Sequence, residues 1–195
     1  MKAVLVIALT LFPLTTYANV DNKGTDQQLS ELMKSTKEVV DPMPVKLKAL
    51  LTDEITNNGP VKAIEMCRVK APTMAKALSE KTGWSIKRVS IKNRNPEGKA
   101  DKWEEKTMTG FERQLAGNID AVMEQGEIVT LKNKQYFRYA KGLKTTKECA
   151  MCHGKDENIT KELKEKLKEI YPDDLAKGYD VNQVRGIISV IRPIN

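Results

Sequence analysis

Two cysteines three positions apart, followed directly by the only histidine in a chain of 195 residues, constrain this sequence more than any other feature. The run is Cys149-Ala150-Met151-Cys152-His153. Two thiols at this spacing reach one edge of a porphyrin and can form thioethers with its vinyl groups, and the next residue then falls beneath the metal. C-x-x-C-H is therefore read as an attachment site for one covalent c-type haem per chain. Cys149 and Cys152 are the thioether cysteines and His153 is an axial ligand. The fold must leave a flat slot beside this segment.

Two other readings use the same residues. A thioredoxin-type dithiol also has C-x-x-C, but at the start of a helix early in a βαβ unit, whereas this run comes late and follows a hairpin pattern. A Cys₃His zinc site would draw on Cys67, Cys149, Cys152 and His153, although adjacent residues rarely both reach one tetrahedral ion. A lone histidine excludes bis-histidine haem and two-histidine metal triads. The second axial position is then left to Cys67, a methionine, a lysine, water or nothing. Cys67 is the odd thiol, with an inert buried cysteine as its plain alternative.

The N-terminus reads as an export signal, with Met1-Lys2 positive, Ala3 to Phe12 apolar apart from Thr10, a break at Pro13, and small residues at Thr16 and Ala18. The expected division is a signal peptide over 1–18 and a single domain over 19–195, placed in the periplasm. The apolar run is too short to span a bilayer comfortably, so no transmembrane segment is expected in the mature chain.

Helical spacing is visible from Leu29 to Val40 and again from Val45 to Ile55, the two separated by Asp41-Pro42-Met43-Pro44. Val20 to Gln27 reads as a frayed lead-in. Asn57-Asn58-Gly59-Pro60 reads as a stop and restart. The following segment carries Ile64, Cys67 and Ala71 on one face, and Pro72 is expected to break it near Lys70-Ala71. That would put Cys67 at the end of a short helix. Trp84 to Ile91 alternates as a strand, Asp101 to Leu115 is helical, and Ile128 to Ala140 reads as a hairpin. Lys161 to Ile170 is a charged helix in which Glu162 and Lys166 pair on a solvated face. Arg185 to Ile194 is a closing strand. The order predicts one α+β domain in which helices flank an antiparallel sheet.

Several local runs together resemble a known family. They are Ala63-Ile64-Glu65-Met66-Cys67, Ala71-Pro72, Arg88-Val89-Ser90, Arg94-Asn95-Pro96, Trp103-Glu104, Gly178-Tyr179 and Arg185-Gly186-Ile187-Ile188-Ser189-Val190. This set, from about residue 60 to the C-terminus, resembles the PAS-like c-haem domains found as stand-alone exported proteins and as sensory modules of histidine kinases. The resemblance implies a PAS-like antiparallel sheet flanked by helices, and a cysteine at the position of Cys67 as the axial ligand opposite His153.

A formal net charge of +7 suits an acidic redox or signalling partner, and Arg88, Lys92, Arg94 and Arg138 are candidate partners for haem propionates. With 5% aromatic residues and no recognition motif, nucleic acid is not expected. A histidine and a cysteine would fill both faces of the iron, so no enzyme activity is expected. Electron transfer is the function expected, because no transmitter follows the domain. Redox or diatomic-gas sensing through a partner protein is the alternative that the PAS-like resemblance raises.

Overall fold

The structure is a computed structural model, and it describes residues 22–194. The expected signal segment, 1–18, lies outside those residues. Two helices come first: α1 (Asn22–Val40) and α2 (Pro42–Thr82). They are followed by β1 (Ser85–Val89), α3 (Lys102–Gly117), β2 (Glu124–Leu131), β3 (Lys134–Lys144), α4 (Lys147–His153), α5 (Lys161–Ile170) and β4 (Val184–Pro193). The four strands form one antiparallel sheet in the order β1-β4-β3-β2. The α+β, PAS-like architecture expected from the sequence is the one observed. Among the described residues no helix is long and apolar enough to cross a membrane.

The long closing strand is central because its apolar residues suit burial on both faces. Ile188 and Val190 join Phe137, Tyr139 and Ile86 under α1 and α2, which add Leu32, Val40 and Met43. Ile187 joins Val89 and Ala140 on the opposite face, against Met108, Phe111 and Leu115 of α3. The β2–β3 hairpin closes through Lys132 and Asn133, both at positive φ, as a two-residue turn between twisted strands requires. A third, smaller cluster lies off the sheet, where Ile64 of α2 meets Ile159, Leu163 and Leu167, with Cys152 packed against it.

Three local expectations need correction. The helix pattern begins at Asn22, so much of the expected lead-in is already α1. The stop at Asn57–Pro60 is real, since Gly59 adopts φ +82° and splits α2 into two segments, with Pro60 opening the second. Pro72, however, does not break that second segment, which runs on to Thr82. Pro72 and Arg68 are both exposed, so the carbonyl deprived of its helical partner faces water, and Thr73 Oγ1 donates to Val69 O at 2.7 Å alongside. Cys67 thus sits inside a continuous helical segment rather than at its end. Lys166, finally, pairs with Glu65 and Glu169 rather than with Glu162.

The α3 face of the sheet is locked by one buried carboxylate. Glu104, fully buried, closes a capping box with Asp101, accepting from its backbone N–H at 2.7 Å. It also accepts from Ser189 Oγ of β4 at 2.6 Å and lies 3.5 Å from Lys87 of β1 and 3.6 Å from Arg138 of β3. One side chain thereby ties α3 to three strands. Removing it would strand several buried donors, so Glu104→Ala is expected to cost about 3 kcal/mol. Denaturant and thermal melts should show this as a Tm loss of about 10 °C. A loss of under about 1 kcal/mol would show that the network contributes little.

Candidate functional site

α4 holds the cysteine–histidine run, which places Cys149 and Cys152 one turn apart on one helical face. The chain leaves α4 in a turn so tight that a Cβ on Gly154 would lie 2.5 Å from the Ala150 carbonyl oxygen. This lets the segment after α5 zip onto the motif: Gly178 N–H donates to Gly154 O at 2.8 Å, and Tyr179 N–H donates to His153 O at 3.0 Å. The same segment meets the imidazole, with His153 Nδ1 2.8 Å from Ala176 O. A carbonyl can only accept, so Nδ1 carries the proton and Nε2 is left with its lone pair. Burial, reinforced by the Arg185 and Arg94 guanidiniums, holds the imidazole well below the ordinary histidine range near 6.5. The ring is therefore neutral, which is the form that binds a metal.

Cys67 approaches from α2. Ile64, one turn earlier, packs on the Leu163/Leu167 face of α5, and this contact brings the Cys67 thiol close enough to Cys149 and Cys152 for electrostatic coupling. Burial pushes the Cys67 thiol up, while Arg88 and Arg94 pull it down. Burial also raises Cys152, to about 11. All three cysteines are free thiols, half-buried. The structure thus brings the three cysteines near one another, and His153 shares the influence of Arg88 and Arg94 with Cys67. Among the described residues, no three His, Cys, Asp or Glu side chains converge as a metal-ion site, so the Cys₃His alternative finds no support.

Three arginines surround this group. Arg88 projects from the α2 side of β1 and makes no side-chain hydrogen bond or ion pair among the described residues, and burial lowers its pKa. Arg94 Nη2 donates to Cys152 O at 2.6 Å and pairs with Asp174 Oδ2 at 2.9 Å. Arg185 Nη1 donates to Ser90 Oγ at 3.1 Å, and burial brings its pKa down to about 10. The Nε atoms of Arg94 and Arg185 are buried with no partner. Three guanidiniums here face one buried carboxylate, Asp174, a surplus of positive charge that suits an anionic ligand.

The other cations proposed from sequence lie differently. Arg138 is on the α3 face, bonded to Asp101 at 2.7 Å and stacked over Trp103, because neighbouring strand residues point to opposite faces. Lys92 lies over the Tyr179 ring, its Nζ 5.1 Å from the ring centroid. Sequence reasoning missed Asp174 and Ala176, which lie in a polar stretch without periodicity. The available signal was Gly178, whose φ of +76° marks a fixed turn.

The sequence model of the Tll0287-like family matches residues 18–193. Among solved structures, the chain is similar to one described as "Crystal structure of the cyanobacterial heme-protein Tll0287". The TM-score is 0.54 at 23% identity, covering 91% of this chain and 98% of that one, which is a likeness of fold. No curated protein matches the chain.

His153 gives this site a pH signature in the haem-free chain. Its folded pKa lies below its unfolded value, so the unfolded chain binds the proton first as pH falls. The stabilisation is complete above pH 6.5 and declines below it, by up to about 1.4 kcal/mol per pH unit. Urea melts between pH 7 and 5 should show this slope in the haem-free chain and a shallower one in His153→Gln. Equal slopes would mean that the imidazole is not held neutral.

Proposed function

The chain belongs to the Tll0287-like family, and from that premise we propose that it is an exported protein carrying one covalent haem c. Cys149 and Cys152 would form the thioethers, and His153 and Cys67 would be the axial ligands. The observation that carries this reading is His153, a neutral imidazole anchored through Nδ1 to the Ala176 carbonyl, with Nε2 free beside two cysteines at thioether spacing. The similar fold is that of a protein described as a cyanobacterial heme-protein.

The residues present fit such a group. The unpartnered Nε atoms of Arg94 and Arg185, and the unpaired guanidinium of Arg88, are positioned for carboxylates, and haem carries two. Arg88 is the better propionate candidate, because Arg94 Nη2 is already committed to Cys152 O and Asp174. When bound, the haem supplies a one-electron ferric/ferrous couple whose potential a thiolate ligand depresses.

Electron transfer is the role this arrangement supports best. Cys67 rides on a helical segment that runs unbroken from Pro60 to Thr82, packed on the sheet and on α5, and His153 is pinned by backbone contacts on both sides. Ligands held this firmly change little between redox states, which favours fast exchange with a partner protein. With Cys67 and His153 as its ligands, the haem would have no position open to a substrate, and we assign no catalytic residue. The apolar segment before residue 18, which the sequence reads as an export signal, agrees with haem attachment outside the cytoplasm. Net charge favours an acidic redox partner.

Two measurements test this function. Cys67→Ala should retain covalent haem, giving an unchanged pyridine haemochrome, while its ferric absorption spectrum changes; an unchanged ferric spectrum would remove Cys67 from the site. Adding CO to the dithionite-reduced wild type should leave the Soret band in place. A prompt shift would contradict a locked six-coordinate centre and make the protein a gas or redox sensor.

A further inference from the structure

We infer that Arg94 and Asp174 form a positioning pair for the axial histidine: together they hold the Asp174–Ala176 turn so that the Ala176 carbonyl fixes His153 in the Nδ1–H tautomer and aims Nε2. The inference rests on the haem reading above and adds to it two residues and a backbone carbonyl. Arg94 reaches across three segments of chain. From the loop after β1, its Nη2 lies 2.6 Å from Cys152 O at the end of α4, 2.9 Å from Asp174 Oδ2 and 3.4 Å from Ala176 O. The guanidinium also lies over the Tyr171 ring, 5.8 Å from its centroid. One nitrogen thus addresses the motif and the turn that grips the motif's imidazole.

Asp174 completes the pair with its other oxygen. Oδ1 accepts the Ala176 N–H at 2.9 Å while Oδ2 pairs with Arg94, so a single carboxylate sets the backbone of Ala176 and is itself held by Arg94. The residue whose N–H is gripped is also the one whose carbonyl accepts the hydrogen bond from the imidazole Nδ1–H. Leu175 N–H donates to Asn93 O, beside Arg94, at 3.2 Å, and this fastens the turn a second time. The Arg94 and Asp174 side chains are 11% and 2% exposed. Desolvation makes a buried ion pair a poor device for stability alone, whereas fixing one geometry against alternatives is its best-attested use. The geometry fixed here is the hydrogen bond behind a ligating imidazole, which sets the tautomer, orients the ring and raises its donor strength.

The chain's one histidine makes the test direct. ¹⁵N-histidine labelling of untagged protein gives a single ring spin system, free of overlap. In the ferrous holoprotein, verified by its pyridine haemochrome, the Nδ1 proton of wild type should exchange slowly with solvent. In Arg94→Lys, which keeps the charge but is one atom shorter and has no planar guanidinium to lie over Tyr171, exchange should be at least about ten-fold faster. Asp174→Asn should behave the same way. In both variants the reduction potential should rise, because the imidazole loses the bond that strengthens it as a donor. Leu115→Ala, a core truncation on the α3 face, should lower the melting temperature without moving either readout. Wild-type exchange and potential in Arg94→Lys and Asp174→Asn, with only stability lowered, would overturn the inference. If the haemochrome is absent, the haem reading itself fails. The ring ¹⁵N shifts then report the tautomer directly: Nδ1–H in wild type and a mixture in the two variants supports the pair, and no difference overturns it.

Discussion

A single hydrogen bond organises the site. Because the Ala176 carbonyl can only accept, its contact with His153 decides where the ring proton sits and which nitrogen keeps its lone pair. For that bond to form, a turn more than twenty residues downstream must lie against the end of α4. The sharp exit at Gly154, the backbone bonds from Gly178 and Tyr179, and the Arg94–Asp174 pair all bring the turn there. The surplus of guanidinium over carboxylate around the cysteines has its counterpart in the same place, since an anionic cofactor would balance it.

The sheet contributes by alternation. Along β1, Lys87 faces α3 and pairs with Glu104, whereas Arg88 faces α2 and the Cys67 thiol. A shift of one residue in register would exchange these two cations, replacing the Arg88 guanidinium on the ligand side with an ammonium and breaking the buried Glu104 network. The pairing of β1 with β4, from Ser85 opposite Ile191 to Val89 opposite Ile187, is thus coupled to the site. Ser189, on β4, takes part in that coupling through its bond to Glu104.

Much of this was legible in the sequence because it depends on local rules. The C-x-x-C-H spacing, the helical periodicity of α1, α3 and α5 and the hairpin pattern are written within short windows. Cys149, Cys152 and His153 stand in one five-residue motif, and Cys67 is the chain's one other cysteine. Other features depended on what lies outside the local window. Pro72 failed as a helix breaker because its lost bond faces solvent, a fact of burial rather than of residue type. Arg138 failed as a site cation because strand parity turned it to the other face. Ala176 acts through a backbone oxygen, and no side-chain pattern announces a carbonyl. Asp174 escaped notice because it stands eighty residues from Arg94 and only the fold joins the two.

The central claim is that one fold delivers a nitrogen from His153 and a sulfur from Cys67 to the same iron. Iron K-edge X-ray absorption on the ferric holoprotein tests it most directly, because sulfur and nitrogen scatter differently at bonding distance. The account predicts one sulfur scatterer together with the porphyrin and imidazole nitrogens. A first shell of light atoms alone would contradict it.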